Sequence, residues 1–361
     1  MTRATLLTLT AAEEALGDAG LLEADEEFHL DTGVNIGMGI SDLNEVHQTG
    51  KLIDEGNQRR VSPFFVPRIL TNIPAGYVSL RYGLKGGTAS ATTACATGAS
   101  CIGESFSLVQ SGRVRRMVAG SVESSLIQMS VVGFQRMRAL AAGKDPSISR
   151  PFDAKREGFV LSEGAAVVVL ERLEDAKKRG APIHGEVLGY GMSNDAFHLT
   201  APRPDGLAST LCMRRCLQDA RLPARTSRLR ERARHLDDRR RPSRSRFRSP
   251  SWARTSRSRV SKATWGIASR RPAPLETIAG VLAAKSGEIP PTLHLHETDI
   301  DARVDLVQHD FRPWKAADRR IFLKNSFGFG GAFVSLAIGR GVIAAATRRS
   351  SVHFLLFSNK P

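Results

Sequence analysis

The apolar positions of the chain switch repeatedly between helical spacing and strand spacing. The opening MTRATLLTLTAAEEALGDAG has Leu and Ala at helical intervals, which predicts an amphipathic helix. DTGVNIGMGI alternates and runs into glycine, as a buried strand does before a tight loop, and RRMVAGS and AAVVVLE have the composition of further buried strands. Strands that alternate with helices indicate an α/β protein with mixed, mostly buried sheets.

The second half of the chain is patterned less evenly. APIHGEVLGYGMSN predicts a strand with a Gly-rich turn, PLETIAGVLAAKSGEIPPTLHL predicts a helix, and FLKNSFGFGGAFVSLAIGR predicts a loop followed by a strand. Between the first two of these stretches lies RARHLDDRRRPSRSRFRSPSWARTSRSR, at residues 232–259, which has no apolar period. We assign no role to the closing GVIAAATRRSSVHFLLFSNKP.

The net charge of +16 is concentrated in one segment. Between Arg221 and Arg271 there are 18 Lys and Arg but three acidic residues, so the rest of the chain is close to neutral. The 361 residues suffice for one large or two ordinary domains. No run of about 18 apolar residues predicts a membrane span. The start resembles neither a transit peptide nor a signal peptide, so we expect either no targeting segment or a true N-terminus upstream of Met1.

Cys95 has the surroundings expected of a nucleophile. It stands in TACATGAS, among small residues and just before a helical pattern. The dipole of a helix favours the thiolate of a cysteine at its N-terminus, and small neighbours leave backbone N–H groups free to hold an oxyanion. A buried structural cysteine is the alternative on these features alone. The other three cysteines form no paired spacing, so we expect reduced thiols, with Cys212 and Cys216 in a helical core face.

Four motifs carry a resemblance to a known family. TACATGAS, RPFDAKREGFVLSEGAAVVVLE, SNDAFHLTAPRPDG and NSFGFGG, in that order, resemble the β-ketoacyl-[acyl-carrier-protein] synthases of the thiolase-like superfamily. VSPFFVPRILTNIPAGYVSLRYGLKG is most similar to the elongating, KAS II-like branch, which includes the mitochondrial enzyme. The match covers roughly residues 5–220 and 275–338, and several long motifs in register make it specific.

The resemblance implies a thiolase-like α/β fold of two related halves in α/β/α/β/α layers. We expect the first half at 1–175, with the nucleophile and without the family's opening strand. The second half is expected at 176–338, interrupted by a basic segment at 222–274, with a tail at 339–361. At that charge density the segment is expected to be disordered or poorly packed.

The resemblance also implies an acyltransferase of fatty acid biosynthesis that performs a decarboxylative Claisen condensation. Cys95 would accept an acyl chain from an acyl carrier protein, and the carbanion from malonyl-carrier protein would attack that thioester. The family's oxyanion donors correspond to the backbone N–H groups of Cys95 and Phe329. The chain would form a homodimer, use no cofactor or metal, and be mitochondrial, or cytoplasmic if bacterial.

Further site residues follow from the motifs. The loop at the oxyanion hole comprises Phe327, Gly328, Phe329, Gly330 and Gly331. Four charged residues are expected to form a buried or interface ion network that shapes the site, and two more to support it structurally: Arg150, Asp153, Arg156 and Glu163, then His198 and Glu276.

The family's second half-site is incomplete in this sequence. It needs two histidines and a lysine to stabilise the enolate as CO2 leaves, in the motifs N-A-H-A-T-S-T and K-G-x-x-G-H. The first motif is absent, and the second stands as KATWGI, where Lys262 and Gly266 align but Ile267 takes the place of histidine. Glu276 keeps the family's spacing from Lys262. We therefore expect acylation of Cys95 to survive and condensation to be impaired.

This stretch keeps the spacing of the family's motifs but has lost their residues, which suggests that it is read in a shifted frame. Regrouping each codon from its third nucleotide permits Ala-His-Ala-Thr-Ser-Thr at 232–238 and Gly-Asn-Leu-Gly-His at 262–267, which are the missing motifs. A first alternative is an RNA-binding protein whose basic arm contacts phosphates. A second is a catalytically inactive synthase homologue that serves as a partner protein.

Overall fold

The computed structural model describes residues 1–222, 273–299, 305–315, 319–340 and 352–355. The helices are α1 (Arg3–Asp18), α2 (Glu26–Leu30), α3 (Leu43–Asp54), α4 (Phe65–Ile69), α5 (Ile73–Tyr82), α6 (Thr97–Gln110), α7 (Gln128–Arg136), α8 (Leu173–Lys178), α9 (Leu207–Asp219) and α10 (Ala273–Ser286). The strands are β1 (Thr32–Met38), β2 (Thr88–Ala89), β3 (Arg116–Glu123), β4 (Gly164–Arg172), β5 (Gly185–Asn194), β6 (Glu288–Ile289), β7 (Arg312–Pro313), β8 (Arg320–Gly328), β9 (Ala332–Arg340) and β10 (Val352–Leu355). Lys262 and the two stretches assigned to the histidine motifs, 232–238 and 262–267, lie outside the described residues.

The first sheet layer has the strand order β2–β1–β3–β4, with β1 parallel to its two neighbours and β3 antiparallel to β4. Helices α1 and α5 cover its outer face, where Leu16 and Ala75 pack with Val34, Val118 and Val169. All residues of β1 and β3 are buried, because helices lie on both faces of this layer. That burial explains why their sequences are nearly continuous apolar and small residues.

The second sheet layer has the antiparallel order β5–β9–β8. Helices α6 and α10 lie between the two sheet layers, where Ile102 and Phe106 of α6 join Leu170 of β4 and Leu336 of β9 in one apolar cluster. Helix α9 covers the outer face of the second layer. The sequence of layers is therefore α/β/α/β/α, and the predicted fold class is confirmed.

The expected loop before the last long strand is wrong, because Arg320–Gly328 forms strand β8. Lys324 and Asn325 gave this stretch a polar composition, yet both side chains are 3% exposed. Lys324 forms an ion pair with Glu276 at 3.3 Å. The side-chain Oδ1 of Asn325 accepts a hydrogen bond from the Ser335 hydroxyl at 2.6 Å. Partners on other elements therefore satisfy polar groups that sequence patterning assigns to a loop.

The tail, to which the sequence assigns no role, contributes strand β10. It pairs antiparallel with β4 on one side and with β5 on the other. The predicted boundary between residues 175 and 176 falls inside α8, which connects β4 to β5, and the division into halves stays a prediction. Among the described helices, none has the length and apolar character that crossing a membrane requires.

Candidate active site

Cys95 lies in a tight turn immediately before α6. The turn is a single 3-10 helix, Ala94–Ala96, and its first residue, Ala94, has a φ of 48°, which L residues rarely adopt. The Thr97 hydroxyl holds the turn, since it donates to the Ala94 carbonyl oxygen at 2.7 Å and accepts from the Thr93 N–H at 2.9 Å. The sulfur of Cys95 is thereby placed at the N-terminal end of α6, as the sequence predicts.

Cys95 is half-buried, whereas the other three cysteines are buried. Burial raises the pKa of the Cys101 thiol to about 12 and that of Cys212 to about 11. Burial also raises the pKa of Cys216. Because the thiolate is the nucleophile, these three thiols are unreactive near neutral pH. Of the four cysteines, Cys95 is the one placed to react.

The glycine-rich turn between β8 and β9 contacts the turn that carries Cys95. A Cβ added to Gly328 would lie 2.3 Å from the Thr93 carbonyl oxygen and 3.4 Å from the Cys95 nitrogen, so a side chain here would force the two turns apart. Gly330 and Gly331 have φ of 81° and 77°, conformations that glycine adopts without strain. Phe329 therefore lies in a turn that only a glycine-rich sequence forms readily.

The segment after β5 holds the glycine-rich turn from the other side. The Asn194 side-chain amide donates to the Gly330 carbonyl oxygen at 3.0 Å, and the Gly330 N–H donates to the Leu199 carbonyl oxygen at 2.8 Å. The Asp195 N–H donates to the Gly331 carbonyl oxygen at 2.9 Å. Sequence reasoning singled out neither Asn194 nor Asp195, although both belong to the motif SNDAFHLTAPRPDG.

These elements line a cavity that opens to solvent. Cys95 lines it together with His198, and the glycine-rich turn contributes Phe327 and Phe329. Most of the other lining side chains are apolar or small: Leu199, Thr200, Ala201, Pro202 and Phe333, besides Asp195. A half-buried thiol beside an apolar lining suits a substrate with a hydrocarbon chain.

Comparisons with known proteins identify the family of the chain. The family model described as the N-terminal domain of β-ketoacyl synthases matches residues 1–176. The 3-oxoacyl-[acyl-carrier-protein] synthase 2 of Rhizobium meliloti is 39% identical over 344 residues, which cover 92% of this chain and 79% of that protein. The chain belongs to the β-ketoacyl synthase family.

Other members of the β-ketoacyl synthase family extend the comparison. The mitochondrial 3-oxoacyl-[acyl-carrier-protein] synthase of Arabidopsis thaliana is 40% identical over 337 residues, covering 90% of this chain and 72% of that protein. The crystal structure of a β-ketoacyl synthase from Burkholderia phymatum superposes with a TM-score of 0.77 at 28% identity, covering 95% of this chain and 83% of that one. A type II polyketide ketosynthase solved with its acyl carrier protein has the same TM-score at 23% identity, over 94% of this chain and 85% of that one, and shows the fold alone.

In this β-ketoacyl synthase family member, the exposed His198 has a defined ring orientation. Its Nδ1 accepts hydrogen bonds from the Thr200 and Ala201 N–H groups, both at 3.1 Å. The neutral ring therefore carries its proton on Nε2. The ring fixes the loop that lines the cavity, and its supporting role in the reaction stays a prediction.

The four charged residues expected to form one ion network bond mainly to partners outside the set, although the Arg156 guanidinium also donates to the Asp153 backbone carbonyl oxygen at 2.6 Å. Glu163 forms an ion pair with Arg3, Arg156 with Asp299 at 2.7 Å, and the Arg150 guanidinium donates to the Ser147 carbonyl oxygen at 3.1 Å. Asp153 accepts N–H groups instead, as described next. The supporting role of these four charges stays a prediction. Among the described ion pairs, none joins two of these four side chains.

Asp153 joins two distant segments of the chain. Its carboxylate accepts the N–H groups of His296 at 2.9 Å, Glu297 at 3.1 Å and Lys155 at 2.8 Å. Burial alone would raise the pKa of Asp153, but the N–H donors of His296, Lys155 and Glu297 outweigh burial, so the net pKa is lowered. The carboxylate is therefore ionised and anchors the segment between β6 and β7.

Lys324 is a buried charge near the site that sequence reasoning missed. Its ammonium lies 3.3 Å from Glu276 and donates to the Ser326 hydroxyl, one residue before Phe327 of the cavity. The sequence predicts a structural role for Glu276 but does not reveal this partner, which lies on another element. In the part of the chain that the structure describes, no group of three His, Cys, Asp or Glu side chains is arranged to hold a metal ion.

Proposed function

We propose that this chain is a 3-oxoacyl-[acyl-carrier-protein] synthase of fatty acid biosynthesis with Cys95 as its nucleophile. The observation that carries the proposal is the shared cavity: the accessible thiol at the start of α6 and the Phe327–Gly331 turn line the same space. The Rhizobium meliloti and Arabidopsis thaliana relatives are both 3-oxoacyl-[acyl-carrier-protein] synthases, which supports the reaction class.

In the first step, the Cys95 thiolate attacks the carbonyl carbon of an acyl thioester on the carrier protein. A new carbon–sulfur bond forms, the carrier thiolate leaves, and it takes up a proton. The negative charge that develops on the carbonyl oxygen requires donors fixed in advance. The backbone N–H groups of Cys95 and Phe329 are the proposed donors, and the close approach of Gly328 to the Cys95 nitrogen supports that pairing.

In the second step, malonyl-carrier protein loses CO2 and its carbanion attacks the Cys95 thioester. The Cys95 thiolate leaves, and the product is a 3-oxoacyl chain that is two carbons longer. Family members stabilise the enolate with two histidines and a lysine, and the corresponding positions, Lys262 included, fall in the sequence where motifs are lost. We propose that this chain forms the acyl-enzyme and condenses poorly.

The carrier protein and a second copy of the chain are the proposed partners. The complex of a ketosynthase with its acyl carrier protein supports the first for this fold. The halves at 1–175 and 176–338 are proposed to correspond to the two sheet layers. A mitochondrial location is proposed because the Arabidopsis thaliana and Schizosaccharomyces pombe relatives are named mitochondrial, and a cytoplasmic one applies if the source is bacterial, like the Rhizobium meliloti relative.

The test loads the protein with radiolabelled acyl-carrier protein and then adds malonyl-carrier protein. We expect label on the wild type and none on Cys95→Ala, while the control Cys216→Ala, which changes a buried thiol, keeps its label. Little 3-oxoacyl product should appear in the second stage. Equal labelling of Cys95→Ala would overturn the nucleophile assignment, and normal product formation would overturn the proposed impairment alone.

A further inference from the structure

Strand β10 lies between two strands that otherwise have one sheet neighbour each. Val352, His353, Phe354 and Leu355 pair in antiparallel register with Arg172, Glu171, Leu170 and Val169 of β4. On the other side, the first three of these residues pair with Val187, Glu186 and Gly185 of β5. Since β10 is antiparallel to both neighbours, β4 and β5 run parallel to one another, one strand apart.

The edges that face β10 belong to the buried part of the molecule. Val169, Leu170 and Glu171 have no exposed surface, and Glu186 and Val187 are 2% and 1% exposed. Backbone N–H and C=O groups in such places need partners, because water does not reach them to replace a lost ladder. Among the described strands, β10 supplies those partners to both edges.

The sequence of the tail fits this position at one register. Val352 stands opposite Val187 and Arg172, and Phe354 stands opposite Leu170 and Gly185. Val187 and Leu170 belong to the apolar cluster between the two sheet layers. His353 stands opposite Glu171 and Glu186, the two acidic residues of these edges. A slip by one residue would place His353 at a position that Val352 or Phe354 takes, so His353 is the residue that disfavours a slip.

The connection to β9 is long enough for this pairing. β9 ends at Arg340, and Gly339 is paired with Glu186 on β5, one strand away from β10. Residues 341–351 join Arg340 to Val352, and an extended chain of that length reaches roughly 35 Å. The chain can therefore supply its own strand without help from a second copy.

We infer that β4 and β5 form a strand-binding slot whose occupant is this chain's own segment Val352–Leu355. β4 belongs to the first sheet layer, and β5 belongs to the second, which carries the Phe327–Gly331 turn. Strand β10 therefore joins the two sheet layers. The slot is a feature of the fold, and it does not depend on the reaction that the site performs.

Engineered disulfides test the pairing in the full chain. Two pairs of register partners are changed, Leu355→Cys with Val169→Cys and Phe354→Cys with Leu170→Cys. Adjacent antiparallel pairs alternate between wide and narrow Cα separations, so at least one pair has the geometry for a bond. The control, Leu355→Cys with Leu170→Cys, is shifted by one residue, which turns the two side chains to opposite faces.

We expect an intrachain disulfide on mild oxidation in at least one matched pair, and little in the shifted control. No bond in either matched pair would overturn the inference. A bond that links two chains, seen as a dimer on a non-reducing gel, would also overturn it, because a second copy would then occupy the slot.

Amide hydrogen exchange gives an independent measurement without cysteines. In a strand with neighbours on both sides, successive N–H groups point to alternate neighbours, so His353→Pro and Phe354→Pro each remove a donor to a different edge. We expect exchange in 166–172 or 185–190 to accelerate at least ~10-fold in these variants, and not in the control Ser358→Pro outside β10. Unchanged exchange at both edges in both variants would contradict the slot.

Discussion

At the turn before α6 the chain places a non-glycine residue, Ala94, at a φ of 48°, whereas the turn between β8 and β9 uses glycines at 81° and 77°. A left-handed alanine costs about 1 kcal/mol or more, while glycine adopts the same region freely. The first turn is held by the side chain of Thr97 and the second by backbone and amide contacts from the segment after β5. The two turns reach one cavity by different means.

This difference follows from what each turn carries. The turn that carries Cys95 presents a side chain, so its residues keep Cβ atoms and its strain is offset by fixed hydrogen bonds. The glycine-rich turn presents its backbone, so it dispenses with side chains where it meets the other turn. Strain of the first kind is typical of functional sites, where the surrounding structure holds a conformation that the chain alone would avoid.

The largest contrast expected concerns the four thiols. At pH 8, iodoacetamide should alkylate Cys95 at least ~100-fold faster than the buried cysteines, because pKa values of about 12 for Cys101 and about 11 for Cys212 leave them almost wholly protonated. Raising the pH increases their thiolate fraction, so the contrast shrinks. Peptide mass spectrometry of briefly labelled protein measures it. Fast alkylation of the remaining cysteines in the folded Cys95→Ala variant would contradict this prediction.

Gly328→Ala should separate the two turns. The new Cβ meets the Thr93 carbonyl oxygen at 2.3 Å, and a backbone atom cannot swing away as a flexible side chain would. We expect a loss of about 1–3 kcal/mol in unfolding free energy and at least ~10-fold in acyl loading. Gly133→Ala in α7, which meets nothing within 4 Å, is the matched control and should not destabilise. Urea unfolding and labelling of Cys95 report both effects, and equal behaviour of the two variants would contradict the contact.

These contacts show how far the site could be predicted from the sequence. Cys95 and the glycines of NSFGFGG were identifiable because their chemistry is local: a cysteine among small residues, and glycines where a turn needs them. The family resemblance placed them in one site, and the structure places them around one cavity. The relatives confirm the family, and the solved structures confirm the fold. Lys262, the dimer and the division into halves stay predictions.

What sequence reasoning missed depends on partners far along the chain. The polar residues Lys324 and Asn325 give strand β8 the composition of a loop, and their partners Glu276 and Ser335 lie on α10 and β9. The tail was left without a role because four residues carry a weak pattern, and their neighbours, β4 and β5, are set by the packed sheet. A local pattern cannot report either kind of long-range pairing.

Thr97→Val should weaken only the turn that carries Cys95. The substitution keeps the shape of a buried side chain but removes the hydrogen bonds to Ala94 and Thr93, which leaves two backbone groups short of a partner. We expect a loss of about 2 kcal/mol in unfolding free energy and slower alkylation of Cys95. Thr10→Val, which removes an exposed hydroxyl contact in α1, is the control and should change little. If both variants unfold at the same urea concentration, Thr97 does not hold the turn.

The smallest effect is expected for Gly330→Ala, which tests the glycine-rich turn without a clash. An added Cβ meets nothing within 4 Å there, so the cost is that of placing alanine at a φ of 81°, about 1 kcal/mol. Gly83→Ala, at the end of α5 with a φ of 66° and equally open space, should lose a similar free energy. Acyl loading should fall in Gly330→Ala but not in Gly83→Ala, because only Gly330 adjoins Phe329, and Gly330→Asn should recover stability, since asparagine tolerates this region better than alanine. Equal loading by Gly330→Ala and Gly83→Ala would mean that the backbone of this turn takes no part in holding the thioester.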